Sequence, residues 1–367
     1  MFLVCNRKQA AGFFGLLLLV LGSLGYTLYS QWLPCPALPC SLTERDVSAL
    51  VKGIVCRRNQ ALLNGNPENL AQLYQRNLLH GLWAYEHQVK KLKYLHNWCH
   101  KQGAKLAAIN SWLWIRRIQP RIDGIRVIFT AVTEYRYFYS DEPAALNTMR
   151  IGTCHSLDLS PGKQDWRIAR EWYTDPFSDA LYLENEDLLA NQAFIPMQKP
   201  RDFSNLDPLR RKAVEYADQY CGVFDFHYNP NYRNFNYQGG DCANFASQIL
   251  YEGGGFGKTR LWNYDGEASR AWVNAQAFNQ YMFHSGRAYR IAYGTYNKVL
   301  KESYRLLPGD YIAYEKKGKI THISLVTGAD TKGYALTNSH NTDRYRVPWD
   351  LGYGGRKVRF WLMRVTY

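Results

Sequence analysis

The segment Gly239-Gly240-Asp241-Cys242-Ala243-Asn244-Phe245-Ala246-Ser247-Gln248 constrains this chain more than any other. The glycine pair gives the backbone freedom to turn, Asp241 is a residue type that caps helices, and Cys242 then falls at the first helical position. The helix is expected to continue through Phe245, Ile249 and Leu250 and to stop at Gly253-Gly254-Gly255. A thiol at a helix start sits among backbone N–H groups that lack helical partners. Such a site favours thiolate and offers the Cys242 amide as one oxyanion donor. Far downstream, Thr321-His322-Ile323-Ser324-Leu325-Val326 places a histidine at the start of a strand. That strand follows the turn Lys316-Lys317-Gly318-Lys319 and should form a hairpin with Leu307 to Tyr314. A thiol nucleophile and a rigidly held imidazole base are the two parts that cysteine-dependent acyl chemistry needs.

A third group should orient the imidazole. The next strand, Tyr334 to Asn341, carries Asn338 and His340 on one face by its period of two, and either could reach His322, with His340 preferred. Gln238 is the first candidate for a second oxyanion donor, with Tyr237 and Asn231 behind it. Tyr237, Trp262 and Asp343 are candidate substrate-binding residues, with Tyr264, Trp272 and Arg344 beside them. Core packing is the competing reading for each tryptophan.

The chain has 45 Lys and Arg against 31 Asp and Glu, a formal charge of +14, which draws it toward anionic surfaces. No zinc-finger or RRM-like signature and no continuous basic block accompanies that charge, so nucleic acid is not the expected partner. Arg7 and Lys8 precede an uncharged apolar run from Ala10 to Leu28. A run of this length, about 20 residues, can span a bilayer as a helix. The preceding charge places the N-terminus in the cytoplasm and the rest of the chain outside. Tyr26, Tyr29 and Trp32 suit the interface, and no clear cleavage site follows. Residues 1–32 therefore read as a single-pass signal anchor, with a cleaved signal peptide and secretion as the alternative. Of the eight cysteines, Cys35, Cys40, Cys56, Cys99 and Cys154 are candidates for disulfides in such a compartment. No Cys/His spacing fits a metal site, and neither metal nor organic cofactor is expected.

Two α+β units are expected after the anchor. Residues 41–200 should form an accessory domain, helical to about Ile118 and then an antiparallel sheet from Arg126–Tyr139, Met149–Leu159 and Asp165–Trp172. Residues 208–367 should form the unit bearing Cys242, opening with a helix from Leu209 to Tyr220, with another around Ala268 to His284 and strands to the C-terminus.

Several segments together resemble a known family: Asn229-Pro230-Asn231-Tyr232, Gly240 to Gln248, Pro308-Gly309-Asp310, His322 to Gly328, and Ser339-His340-Asn341-Thr342-Asp343-Arg344. They look like the putative amidase domain of Gram-positive bacteria, which is similar to CHAP and other papain-like cysteine hydrolases of the cell wall. The resemblance implies a papain-like fold, with the cysteine helix packed on an antiparallel sheet, Cys242 as nucleophile and His322 as base. Relatives commonly carry Thr where this chain has Ala243. The preceding region looks like the NTF2-like accessory domains that precede such units. The resemblance implies peptidoglycan or another wall peptide as substrate, with membrane attachment through the N-terminal helix. An inactive wall-binding or assembly module and a thiol-dependent acyl transferase are the alternatives.

Overall fold

The computed structural model describes residues 42–162, 165–181, 194–236, 238–354 and 358–367. The expected membrane segment, Cys35, Cys40 and Tyr237 lie outside the described residues. Among the described residues, no helix is long and apolar enough to cross a membrane.

Helix α1 (Glu44–Asn64) starts at a reciprocal cap. The Thr43 hydroxyl accepts the Asp46 N–H at 3.2 Å, and the Asp46 carboxylate accepts the Thr43 N–H at 2.8 Å. Asn66 accepts from Glu68 N–H at 2.9 Å and starts the short α2 (Pro67–Ala71); α3 follows at Leu79–Gln102. Gly103, at φ 73°, ends α3 in a left-handed turn, and strands begin at once. They are β1 (Ala104–Arg121), β2 (Gly124–Tyr139), β3 (Glu142–Pro161) and β4 (Trp166–Tyr173), all antiparallel. The expectation of helix to about Ile118 is thus corrected at Gly103. Register shifts at Leu106/Ala108 and Ile115/Arg117 break the alternation that marks a strand in sequence. Cys56 and Cys99 are free thiols.

The second unit opens with α4 (Pro208–Gln219), capped by Asp207, whose carboxylate accepts the Leu209 N–H at 2.8 Å. Then come α5 (Cys242–Gln248), running into a π-turn at Ile249–Gly253, and a small ribbon of β5 (Tyr264–Asp265) and β6 (Glu267–Ala268). Helices α6 (Arg270–Val273) and α7 (Ala275–His284) replace the single helix expected there. Asn274 breaks it and caps α7 by accepting the Ala277 N–H at 3.0 Å. Next are β7 (Ala288–Gly294), the unanticipated α8 (Tyr296–Ser303), β8 (Tyr311–Lys316), β9 (Lys319–Ala329), β10 (Ala335–Ser339), β11 (Arg344–Pro348) and β12 (Val358–Val365). Lys317 and Gly318, at φ 51° and 76°, make the tight turn of the β8–β9 hairpin.

The α+β class is as expected, but the two units share one sheet. Its order is β1-β2-β3-β11-β10-β9-β8-β12-β7, with β4 also on β3. One edge of β3 pairs with β2. The other is divided between β4 and β11, the latter through Arg344↔Ile151 and Tyr345↔Arg150. Buried polar bonds reinforce the seam. Lys101 of α3 pairs with Asp350, which also accepts from Trp98 Nε1 at 3.2 Å; Tyr137 and Tyr139 donate to Asp330 at 3.0 and 2.6 Å. One apolar cluster holds Tyr137 and Tyr139 together with Val326, Trp349 and Phe360, so both units contribute to it. Burying side chains of this size stabilises by roughly 1.5–3 kcal/mol each.

Candidate active site

Asp241 occupies the N-cap position of α5, but its carboxylate does not cap the helix. Oδ1 accepts from the Phe235 N–H and from Asn244 Nδ2, both at 2.8 Å, and Oδ2 accepts from His340 Nδ1 at 2.5 Å. The Asp241 N–H donates to Asn341 Oδ1 at 2.5 Å. Gly240, at φ 115°, must be glycine here because a Cβ would collide with the Asn341 side-chain amide. The chain is therefore fixed on both sides of the turn that delivers Cys242.

Helix α5 packs on β9 and shares an apolar cluster with Ile323 and Leu325. Burial pushes the Cys242 thiol up to about 11, against the opposing pull of the Ile323, Ala243 and Cys242 N–H groups. The thiol is only 5% exposed. The thiolate expected from a helix start is corrected accordingly. The dipole of a short helix offers about 0.3–1 kcal/mol, whereas one pKa unit corresponds to about 1.4 kcal/mol, so burial prevails.

His322 pairs with Tyr314 across the hairpin and is likewise 5% exposed. Its Nε2 lies 3.1 Å from Ser324 Oγ, and its ring stacks on Tyr353 at 5.4 Å. Burial, helped by the positive charges of Arg344 and Lys316, holds the imidazole well below its usual range, so it is neutral at pH 7. Tyr353 also lies 4.1 Å from the Tyr314 ring, under the Arg344 and Lys316 cations. Among the described residues no hydrogen bond joins Cys242 to His322. Cys242 and Ile323, the residue after His322, share one apolar cluster.

Neither Asn338 nor His340 orients His322. Asn338 Nδ2 donates to the Ala217 carbonyl at 3.1 Å and to Asp218 Oδ1 at 2.8 Å. Its Oδ1 accepts from Thr327 Oγ1 at 3.0 Å and from the Arg346 N–H at 2.8 Å. His340 stacks on Phe245 at 3.8 Å and donates Nε2–H to the Tyr220 carbonyl at 2.8 Å. The register explains this correction. Asn338 is the direct partner of Leu325, and paired residues share a face, whereas His322 and Ser324 point to the opposite one. Ser324 is the group beside the His322 ring, and the signal for it in the sequence is its position two residues along the same strand. Tyr353, on the turn after β11, gave no such signal.

The other candidates divide. The Gln238 backbone N–H donates to the Phe235 carbonyl at 2.8 Å, and the residue is exposed, so that amide is not an available oxyanion donor. Trp262 is fully buried, with Nε1–H on Ser247 Oγ at 2.9 Å: it is core, not a groove wall. Trp272 is buried too, donating to Asn244 Oδ1 at 2.9 Å. Arg344 is 2% exposed and donates to the Leu351 and Pro176 carbonyls at 2.6 and 2.8 Å. Asp343 lines a cleft between the two units. Among the described residues no His/Cys/Asp/Glu group could hold a metal ion.

Residues 208–363 match the family model described as "Putative amidase domain", which points to amide hydrolysis. No curated protein matches the chain. Among solved structures, a putative Ca/calmodulin-dependent kinase II association domain from Exiguobacterium sibiricum 255-15 is 10% identical, covering 36% of this chain and 95% of its own, with a TM-score of 0.23. A putative calcium/calmodulin-dependent protein kinase II association domain from Xanthomonas campestris is 17% identical, covering 39% and 94%, also with a TM-score of 0.23.

Proposed function

We propose that residues 208–363 act as a cysteine-dependent amidase or peptidase, exported and tethered by the N-terminal apolar segment, that hydrolyses amide bonds in peptidoglycan peptides. The observation that carries the reading is the placement of Cys242 at the start of α5, in one apolar cluster with Ile323, the neighbour of His322, within a segment that matches an amidase domain. In the reaction the His322 imidazole takes the thiol proton as Cys242 attacks the carbonyl. The same proton then goes to the leaving amine, and water cleaves the thioester. A neutral thiol and neutral imidazole are the starting pair, so proton transfer accompanies attack. His322 projects from the face of β9 opposite Ile323 and Leu325, which pack with Cys242, so the start of β9 must shift, and not the ring alone, before imidazole meets thiol. The positive charge of the chain, +14, would hold it near anionic wall polymers.

The test is release of new amines from purified peptidoglycan by the full chain, compared with Cys242→Ala and His322→Ala. Product from wild type alone supports the reading. Product from all three would attribute the activity to something other than this pair. The buried thiol, not joined to His322 among the described residues, favours a second reading, a wall-binding module without turnover. Equal wall binding by wild type and Cys242→Ala, with no product from either, would select it. A transferase would instead yield products whose masses include the acceptor amine.

A further inference from the structure

A cleft of about 750 Å³ opens where β11 meets β3. Arg116, Phe226, Trp172, Gly240 and Asp343 line it. Gly239 and Gly240 form one lip, so it begins beside the turn that delivers Cys242.

Asp343 is the unusual group in this cleft. It is only 5% exposed, its Oδ2 accepts from the Tyr228 hydroxyl, and its Oδ1 has no hydrogen-bond partner among the described residues. Leaving such an oxygen buried without a donor is unfavourable, and a ligand that supplies one removes that cost. Backbone closes tightly around the carboxyl: a Cβ on Gly222 would stand 2.7 Å from it, and one on Gly152 would stand 3.2 Å from Asp343 Cβ. The charged neighbours do not supply the missing donor. His340 is bonded directly to Asp241, and those two charges offset each other. Along the same cleft Arg116 is exposed, with Nε–H on Thr130 Oγ1 at 3.1 Å and its guanidinium over the Phe226 ring at 5.7 Å. Phe226 in turn lies 3.5 Å from the position of a Gly152 Cβ, which also borders Asp343. The cleft therefore carries a donor-deficient carboxyl, an exposed guanidinium and an aromatic ring in one lining.

We propose that this cleft binds a zwitterionic peptide end, with an ammonium group on Asp343 Oδ1 and a carboxylate on Arg116. The proposal rests on the amidase reading and deepens it by naming the peptide class recognised, one that carries a free ammonium and a free carboxylate together. Its physical basis, a paired donor for Asp343, does not depend on turnover. Burial pushes the Asp343 carboxyl up to about 6, and an ammonium ligand needs it ionised. The groups acting on it are Tyr228, His340 and Asp241, with Cys221 close by and Arg116 and Cys154 in the cleft. Affinity for an ammonium ligand is thus greatest above that pH and declines below it.

The experiment is calorimetric titration of the full chain carrying Cys242→Ala, in detergent micelles, with alanyl-alanine, N-acetyl-alanyl-alanine and alanyl-alaninamide. Alanyl-alanine should bind at pH 7.5, at least tenfold more tightly than either blocked peptide. Arg116→Gln, an exposed substitution, should abolish the preference over the amide and keep that over the acetylated form. Asp343→Asn should do the reverse. Equal affinities for the three peptides, or no binding of alanyl-alanine by the folded protein, would overturn the proposal. Because the thiol is absent, either result is independent of hydrolysis. Wall cleavage by wild type without dipeptide binding would leave the amidase reading standing and remove this one.

Discussion

His340 and Asp241 form a buried ion pair, Nδ1 to Oδ2 at 2.5 Å, on the turn that delivers Cys242. The other ring nitrogen of His340 faces the Tyr220 carbonyl, a pure acceptor, so both nitrogens carry protons and the ring is an imidazolium. Burial opposes this charge, but the bond and charge of Asp241 outweigh it and raise the histidine above its usual pKa of 6.5.

This pair gives stability a defined pH dependence. A histidine raised in the folded state contributes fully below its unfolded pKa, and the contribution is lost as pH rises through the folded value. Resistance of wild type to urea should therefore fall as pH climbs above 6.5, a slope that His340→Gln should flatten. Removing one partner of a buried pair costs about 3–5 kcal/mol, so the variant should also be less stable at pH 6. An unchanged slope would mean the ring is neutral.

Cys242 should alkylate slowly at pH 8 and faster toward pH 11, because burial disfavours its thiolate. Tyr353→Ala removes the ring stacked on His322 and should speed labelling several-fold, as read by peptide mass spectrometry with iodoacetamide. Rapid labelling of wild type near neutral pH would show that the thiol is activated without any rearrangement.

Trp262→Ala should destabilise the protein by about 3–5 kcal/mol, the cost of emptying a buried aromatic site. The more conservative Trp262→Phe should keep KM for any cleaved peptide unchanged. A large rise in KM with normal stability would return Trp262 to the substrate groove.

Lys101→Met leaves Asp350 buried without its cation and should cost about 3–5 kcal/mol. Since the sheet runs through both units, calorimetry of wild type and variant should each give one transition. Two separated transitions would mean that the units unfold independently despite the shared strands.

Local signals were read well where the chain's own chemistry dictates them. The helix at Cys242, the Lys317-Gly318 turn and the strand bearing His322 all follow from glycine placement and apolar periodicity. Three things were not legible. β1 has alternation broken by bulges, and it follows a helix with only Gly103 between. The face on which Asn338 and His340 project depends on which β9 residue stands opposite, and no single-strand pattern contains that register. The thiol's protonation likewise depends on how deeply α5 is buried, which helix position alone does not reveal.

The division of one β3 edge between β4 and β11 bears on how this molecule could be taken apart. A fragment starting at Pro208 would keep the residues around Cys242 but lose the strand that shields the β11 main chain. Its N–H and C=O groups would be open to another copy, with Asp330 deprived of Tyr137 and Tyr139 and Asp350 of Trp98 and Lys101. Such a fragment should self-associate edge to edge.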